Sequence, residues 1–316
     1  ARRFLGKKAP RFCVKMKKQE EPMKKKNFKA LAACLCLSCT LLTGTLPTQA
    51  AARTSISHTA KASSTVTNKK PHSGKGQASS SSSGTWKTIK GRHYYYNARG
   101  KKVKGKVKIG SRYYFFDKNG IQRYGWKKIK NDYYFFRIST GTTGAYMLTS
   151  TTINGIALDA SGRASKSGSN LRKLKLMTEA NKIVEKISRP GMNKMQRLRA
   201  SFDYVKKQYT YYCWREFRNT QDWEKDFAED MFFRGGRGDC VSYAAAFAYL
   251  ANAVGMKKVY VICSGGHGWA EIGGKVYDPD WALVSSVDSY FAMSYDLSGV
   301  NGRPMYRGNR LYVKKV

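Results

Sequence analysis

Gly238-Asp-Cys240-Val-Ser-Tyr-Ala-Ala-Ala-Phe-Ala-Tyr-Leu-Ala-Asn-Ala-Val-Gly255 is an alanine-rich apolar run with a cysteine at its start and a glycine at each end. Such a run predicts a helix that opens at Cys240 and stops at Gly255. The unpaired amides and the dipole at a helix start favour a thiolate, and such a site can lower a thiol pKa to between about 3.5 and 7.5; a base that draws the proton from Cys240 is the alternative. The same amides offer an oxyanion hole to a carbonyl attacked by Cys240. Taken alone, a cysteine on an alanine-rich helix is equally well a small buried hydrophobe.

The residues that follow supply partners for the sulfur. Val259–Cys263 reads as a buried strand, and Gly265-Gly266 lets the chain turn sharply before His267. His267 to Ile272 and Lys275 to Asp278 flank Gly273-Gly274, a two-residue hairpin signal. With those glycines as the turn, Ile272 faces Lys275 and Trp269 faces Asp278. His267 then shares a face with Asp278 as its diagonal neighbour. A carboxylate in that position accepts from the imidazole and fixes its tautomer. Asp280 would oppose His267 directly, but Pro279 is expected to break the ladder first, so Asp280 is held in reserve. His267 is the sole histidine after His93, and so the sole candidate imidazole base of this region.

Toward the N-terminus, Leu171 to Ile187 and Asn193 to Tyr209 carry apolar residues at i, i+3 and i+4, with Pro190-Gly191 between them. Helices followed by a hairpin-rich segment make residues 170–316 an α+β domain. Before it, residues 85–165 repeat with a period of 20: Gly100 matches Gly120, Gly105 matches Gly125, and Trp86 matches Trp126 two periods on. Each unit pairs short aromatic strands with an Asn/Asp-x-x-Gly turn, and Ile153 to Gly162 reads as a decayed fourth unit. A lone hairpin is marginal, so stacked neighbours must provide the core of this solenoid.

Residues 53–84 are dominated by Ser, Thr, Lys and Gly and read as a flexible tether. In residues 23–52, Met23 and a lysine-rich stretch precede an apolar segment from Ala30 to Leu46, and Thr48-Gln49-Ala50 offers small residues for cleavage. That order predicts a secretory leader and no stable membrane span after its removal. Residues 1–22, which precede Met23, are expected to be a non-native upstream extension. Four of seven cysteines would leave with these segments. The three that stay, Cys213, Cys240 and Cys263, match neither a disulfide scaffold nor a metal knuckle, so no metal or cofactor is expected. Whether Cys213 and Cys263 pair is left open.

The formal charge is +39, from 59 basic and 20 acidic residues. Residues 1–29 contribute +10 of it and residues 85–165 a further +14. Such a surface seeks a polyanion. Basic and aromatic residues together fit single-stranded nucleic acid, but export makes an anionic wall polymer the better partner.

Two families share these patterns. The aromatic units resemble the cell-wall-binding (choline-binding-type) repeats of Gram-positive surface proteins, in which aromatic residues line cages for choline or glycan rings. The resemblance implies Trp86, Tyr95, Trp126 and Tyr134 as wall-ligand contacts, with Tyr114 and Phe115 as core. Gly238-Asp-Cys240, His267-Gly-Trp269 and Asp278-Pro279, in that order, resemble the transglutaminase-like superfamily over about residues 172–290. That implies a papain-like core with Cys240 as nucleophile, His267 as general base and acid, and Asp278 as orienting carboxylate. Gly268 departs from the pattern, where alanine is common. The expectation is a secreted, wall-associated thiol enzyme acting on peptide or protein amides by hydrolysis or transfer, bound through its repeats to teichoic acid, choline or glycan. The rival is a non-catalytic wall adhesin or scaffold.

Overall fold

The computed structural model describes residues 84–139, 141–285 and 290–316. The expected extension, the leader and all but the last residue of the tether lie outside them. Among the described residues no helix is long and apolar enough to cross a membrane.

Four antiparallel hairpins come first. They are β1 (Thr85–Ile89) with β2 (Arg92–Tyr96), β3 (Gly105–Ile109) with β4 (Arg112–Phe116), β6 (Gly125–Ile129) with β7 (Asp132–Phe136), and β8 (Thr151–Ile153) with β9 (Ile156–Leu158). A short β5 (Gln122–Arg123) adds to the outer edge of β4. The repeat is visible in its turn chemistry. Asn97 Oδ1 accepts from the amides of Arg99 and Lys101, Asp117 Oδ1 from Asn119 and Ile121, and Asp159 Oδ1 from Ser161 and Arg163. The glycine three residues on, Gly100, Gly120 or Gly162, takes a φ of 69°, 76° or 79°, which only glycine adopts without strain. The segment read as a decayed fourth unit therefore closes its turn as the first two do. In the third unit Arg137 stands at the Asx position, and this turn chemistry is replaced by a longer connection.

The helical region follows with α1 (Asn170–Ile187), α2 (Lys194–Gln208), β10 (Thr210–Tyr211), α3 (Trp223–Phe232), β11 (Arg237–Gly238) and α4 (Cys240–Val254). Helix α2 begins with a reciprocal cap. Asn193 Oδ1 accepts from Gln196 N at 2.9 Å, and Gln196 Oε1 accepts from Asn193 N at 2.8 Å. Helix α4 stops where Gly255 turns left-handed at φ 93°. A four-stranded antiparallel sheet completes the fold in the order β14 (Lys275–Tyr277), β13 (Gly268–Ile272), β12 (Val259–Cys263), β15 (Tyr312–Lys315). A short α5 (Trp281–Val284) follows β14. Every residue of α4 except Asn252 is buried, and small alanines on all its faces let α1, α2, α3 and the sheet close around it. This is the α+β papain-like arrangement expected, with a hairpin array in front. Helix α3 and strand β15 were not foreseen.

The hairpin array and the helical region share one hydrophobic core. Trp126, Tyr133, Phe135, Ile156, Leu158 and Ala164 belong to the same buried cluster as Leu174, Met177 and Phe247. A Cβ on Gly125 would lie 1.6 Å from Asn181 Oδ1, so α1 rests directly on the third hairpin. Lys127 pairs with Glu185 of α1, and Asn154 Nδ2 donates to Asn252 Oδ1 of α4 at 3.0 Å.

Candidate active site

Cys240 is the first residue of α4. Asp239 caps the helix, its carboxylate accepting from the amides of Ser242, at 3.1 Å, and Val241. Burial pushes the Asp239 carboxyl up to about 6. The expectation of several free first-turn amides is corrected here: two are taken by the cap, leaving the amide of Cys240 as the candidate oxyanion donor.

Strand β13 brings the histidine. The turn before it is closed by Ser264 N donating to His267 O at 2.8 Å and by His267 N donating to Ser264 Oγ at 3.0 Å. The hairpin register is the one read from Gly273-Gly274, which take φ of 58° and 77°: Ile272 faces Lys275 and Ala270 faces Tyr277. The ladder ends there, one pair short of the expected Trp269–Asp278 pair. Asp278 instead turns away, its amide donating to Tyr290 O at 2.9 Å. Its carboxylate nevertheless meets the imidazole, with His267 Nε2 2.6 Å from Asp278 Oδ2. The same carboxylate accepts from Tyr306 Oη at 2.6 Å and from Trp281 N at 3.0 Å. Asp278 is fully buried, and these three partners hold it in one orientation.

With Nε2 committed to Asp278, Nδ1 is the nitrogen left for the sulfur. Donor atoms of Cys240, His267 and Asp280 all lie within 4.8 Å of one another. Asp280, the reserve carboxylate, is thus a near neighbour of the sulfur, while Asp278 is the one bonded to the ring. Cys240, His267 and Asp280 could together hold a soft divalent cation, with Asp278 orienting the imidazole from behind.

The electrostatics reverse one expectation. Burial, then the charges of Asp239, Asp280 and Asp278, raise the Cys240 thiol well above its ordinary value. Burial opposes the pull of the helix start toward a thiolate, since Cys240 is 3% exposed and three carboxyl groups share its surroundings. For His267, burial is the largest single influence and favours the neutral ring. The charge and hydrogen bond of Asp278, with Asp280 and Asp239, outweigh it, so its pKa is raised. Burial and then Asp278 lift the Asp280 carboxyl to about 7. The thiol is thus raised by burial, and the base beside it is strengthened by Asp278.

Two residues around the site escaped sequence reading. Tyr306 lies outside every motif and reaches Asp278 from the C-terminal segment. Gly268 is where β13 meets α4: a Cβ there would lie 2.7 Å from Val241 Cα and 2.9 Å from Val241 N. The departure from alanine at this position follows from that approach. Cys263 is a free buried thiol pushed up to about 12 by burial, so Cys213 and Cys263 do not pair.

The four candidate wall-ligand residues divide. Trp86 and Tyr95 form a half-buried T-shaped pair 5.2 Å apart, with the Tyr114 ring 5.1 Å from Trp86. Trp126 and Phe135, two periods on, repeat that pair at the same 5.2 Å and 67°. Here the fourth hairpin and the helical region cover it: Trp126 is 1% exposed, its Nε1 donates to Asn154 Oδ1 at 3.1 Å, and it shares a buried cluster with Leu174 and Met177 of α1. Trp126 therefore presents no open face, which corrects its assignment as a wall contact. Tyr134 is also buried, and its ring carries the ammonium of Lys106 at 4.2 Å.

Comparison with known proteins finds two regions. The Choline-binding repeat family matches residues 82–120, and the Transglutaminase-like superfamily matches residues 181–284. No curated protein matches the chain. Solved structures align with about a quarter of it. The choline-binding domain of Spr1274 in Streptococcus pneumoniae shares 25% identity over 25% of this chain and 92% of its own, with a TM-score of 0.22. Choline-binding protein F from Streptococcus pneumoniae, solved with a peptidoglycan analogue, shares 21% identity over 25% of each chain, with a TM-score of 0.23. The Cpl-1 endolysin, also solved with a peptidoglycan analogue, shares 25% identity over 27% of this chain and 25% of its own, with a TM-score of 0.23.

Proposed function

We propose that this chain is a secreted, cell-wall-associated thiol enzyme that cleaves or transfers acyl groups at peptide or protein amides. The observation that carries the reading is the 2.6 Å His267–Asp278 contact, with the Cys240 sulfur within reach of the same ring. The Transglutaminase-like match over residues 181–284 supports the reaction class, and the Choline-binding repeat match supports the wall location.

His267 Nδ1 takes the proton from Cys240 Sγ as the sulfur attacks the amide carbon. The raised thiol and the raised imidazole make this a transfer prompted by substrate. Negative charge then develops on the carbonyl oxygen, and the amide of Cys240 is placed to donate to it. As the C–N bond breaks, His267 returns its proton to the leaving amine, and an acyl thioester remains on Cys240. A water deprotonated by His267 hydrolyses the thioester; a primary amine in its place gives a cross-link. Asp278 holds the ring and stabilises the imidazolium throughout, and Tyr306 and the Trp281 amide hold Asp278. Water is the default acceptor, so hydrolysis of peptide or wall-peptide amides is the favoured branch, with cross-linking next.

The test is mass spectrometry of wall peptides and wall proteins treated with the wild-type chain and with Cys240→Ala. Cleavage, deamidation or new isopeptide bonds in the first digest alone support the reading; identical digests overturn it. One observation favours the adhesin instead: Cys240 is nearly closed to solvent, and burial raises its pKa. In that case Cys240→Ala would keep all wall-related activity.

A further inference from the structure

We propose that the cleft between the hairpin array and the helical region binds a polyol-phosphate strand, a flexible polymer of phosphodiesters joined by small neutral alcohols. The cleft measures about 990 Å³ and lies away from Cys240. Its walls come from the third and fourth hairpins on one side and from α1, α2, the end of α4 and β15 on the other.

Its side-chain charge is of one sign. Arg137, Lys173, Lys194, Arg197, the Lys257-Lys258 pair and Lys315 line it, and among the described residues no aspartate or glutamate side chain does. Burial, then the ammonium groups of Lys225 and Lys315, lower the pKa of Lys173, and the charge of Glu224 offsets them only in part. Arg197 is 8% exposed; one arm of its guanidinium donates to Tyr124, but its Nε is buried without a hydrogen-bond partner. A buried donor left unmade is costly, and a guanidinium with a free edge matches a phosphate. The site thus offers what an anionic oxygen needs: fixed donors in a concave, partly dry setting.

The aromatic faces of the array point the same way. Lys87 lies 4.9 Å over Tyr96, Lys102 4.3 Å over Tyr94 and Lys106 4.2 Å over Tyr134. These faces, where an external ammonium group would sit, already carry the chain's own cations. Recognition by the array is therefore shifted from cation capture toward anion capture. Nucleic acid is the rival polyanion, but a single-strand site adds open aromatic faces for base stacking. Among the described residues the one aromatic lining this cleft, Phe135, is buried in the core. A strand that offers charge without bases suits it better. The inference needs no chemistry at Cys240 and can hold whether or not the enzymatic reading does.

The experiment measures fluorescence anisotropy of a labelled poly(glycerol phosphate) with the full chain, at several salt concentrations. The cleft variant replaces Lys257, Lys258 and Lys315 with Gln. A charge-matched control replaces Lys101, Lys104 and Lys118, exposed on the hairpins, with Gln. All six side chains are exposed, and an unchanged thermal midpoint checks folding. The expected result is a Kd raised at least tenfold in the cleft variant, with a shallower salt slope, and less than twofold in the control. Equal losses in the two variants would mean diffuse attraction and overturn the proposal. So would an oligonucleotide of equal charge that binds at least as tightly and depends on the same lysines.

Discussion

Gly268→Ala adds a single methyl group where β13 crosses the start of α4. The new carbon would lie 2.7 Å from Val241 Cα and 2.9 Å from Val241 N, whereas ordinary contact begins at 3.4 Å. The shortfall is 0.7 Å at the Cα and 0.5 Å at the amide nitrogen, and both are backbone, which has no rotamer to turn aside. Gly268 is not among the residues with positive φ, so the penalty is one of space and not of conformation. Relief requires the first turn of α4 to move off the strand. Cys240 precedes Val241 and His267 precedes Gly268, so that motion separates sulfur from imidazole. Overpacking of this kind costs about 1–3 kcal/mol of stability, and displacement by about 1 Å at a reacting pair costs on the order of 100-fold in rate. The assay is the rate of Cys240 alkylation and of peptide turnover, with urea unfolding in parallel. Gly266→Ala, where a Cβ would meet nothing within 4 Å, is the control and should behave as wild type. If Gly268→Ala alkylates and turns over like wild type, β13 and α4 do not jointly set the site, and the reasoning fails.

Other consequences follow from the same contacts. Tyr306→Phe removes a hydrogen bond to a buried carboxylate, a loss of about 1.5–3 kcal/mol in its support, and should lower kcat about tenfold while leaving KM nearly unchanged. Because the His267 pKa is raised, turnover measured with a chelator present should climb with pH through a midpoint above 6.5, and Asp278→Asn should move that midpoint down. The stability linked to protonated His267 is fully present below its unfolded pKa, near 6.5, and fades as pH rises through the higher folded value; thermal midpoints across pH check the sign. Trp126→Ala should destabilise the fold by about 3–5 kcal/mol, whereas Trp86→Ala should cost far less and mainly weaken wall retention, read by urea unfolding and wall pull-down. Added zinc should slow Cys240 alkylation reversibly, and Asp280→Asn should reduce that protection.

Much of this was legible from local pattern. The Gly273-Gly274 turn set the register of β13 and β14 up to Ala270 and Tyr277, close enough to pick out His267 and Asp278 as partners although Asp278 itself leaves the ladder, and the alanine-rich run from Cys240 to Gly255 announced a helix that neighbours could approach closely. The missed features depend on elements distant in sequence. Tyr306 reaches Asp278 across 28 residues with no periodicity to signal it. The contact at Gly268 exists only because α4 lies against β13. Trp86 and Trp126 occupy the same repeat position with the same local pair geometry, and only packing against α1 and Asn154 separates an open face from a core residue. The resting state of the thiol stayed open in the sequence because a helix start is visible there, whereas burial among three carboxyl groups is not.

The most direct test of the central claim is intact-mass analysis of the acid-quenched chain during turnover of an activated peptide ester or amide. A covalent acyl adduct on Cys240, absent from Cys240→Ala and forming far more slowly in His267→Ala, is the predicted result. Product released at the wild-type rate by Cys240→Ala, with no adduct on the wild-type sulfur, would contradict it.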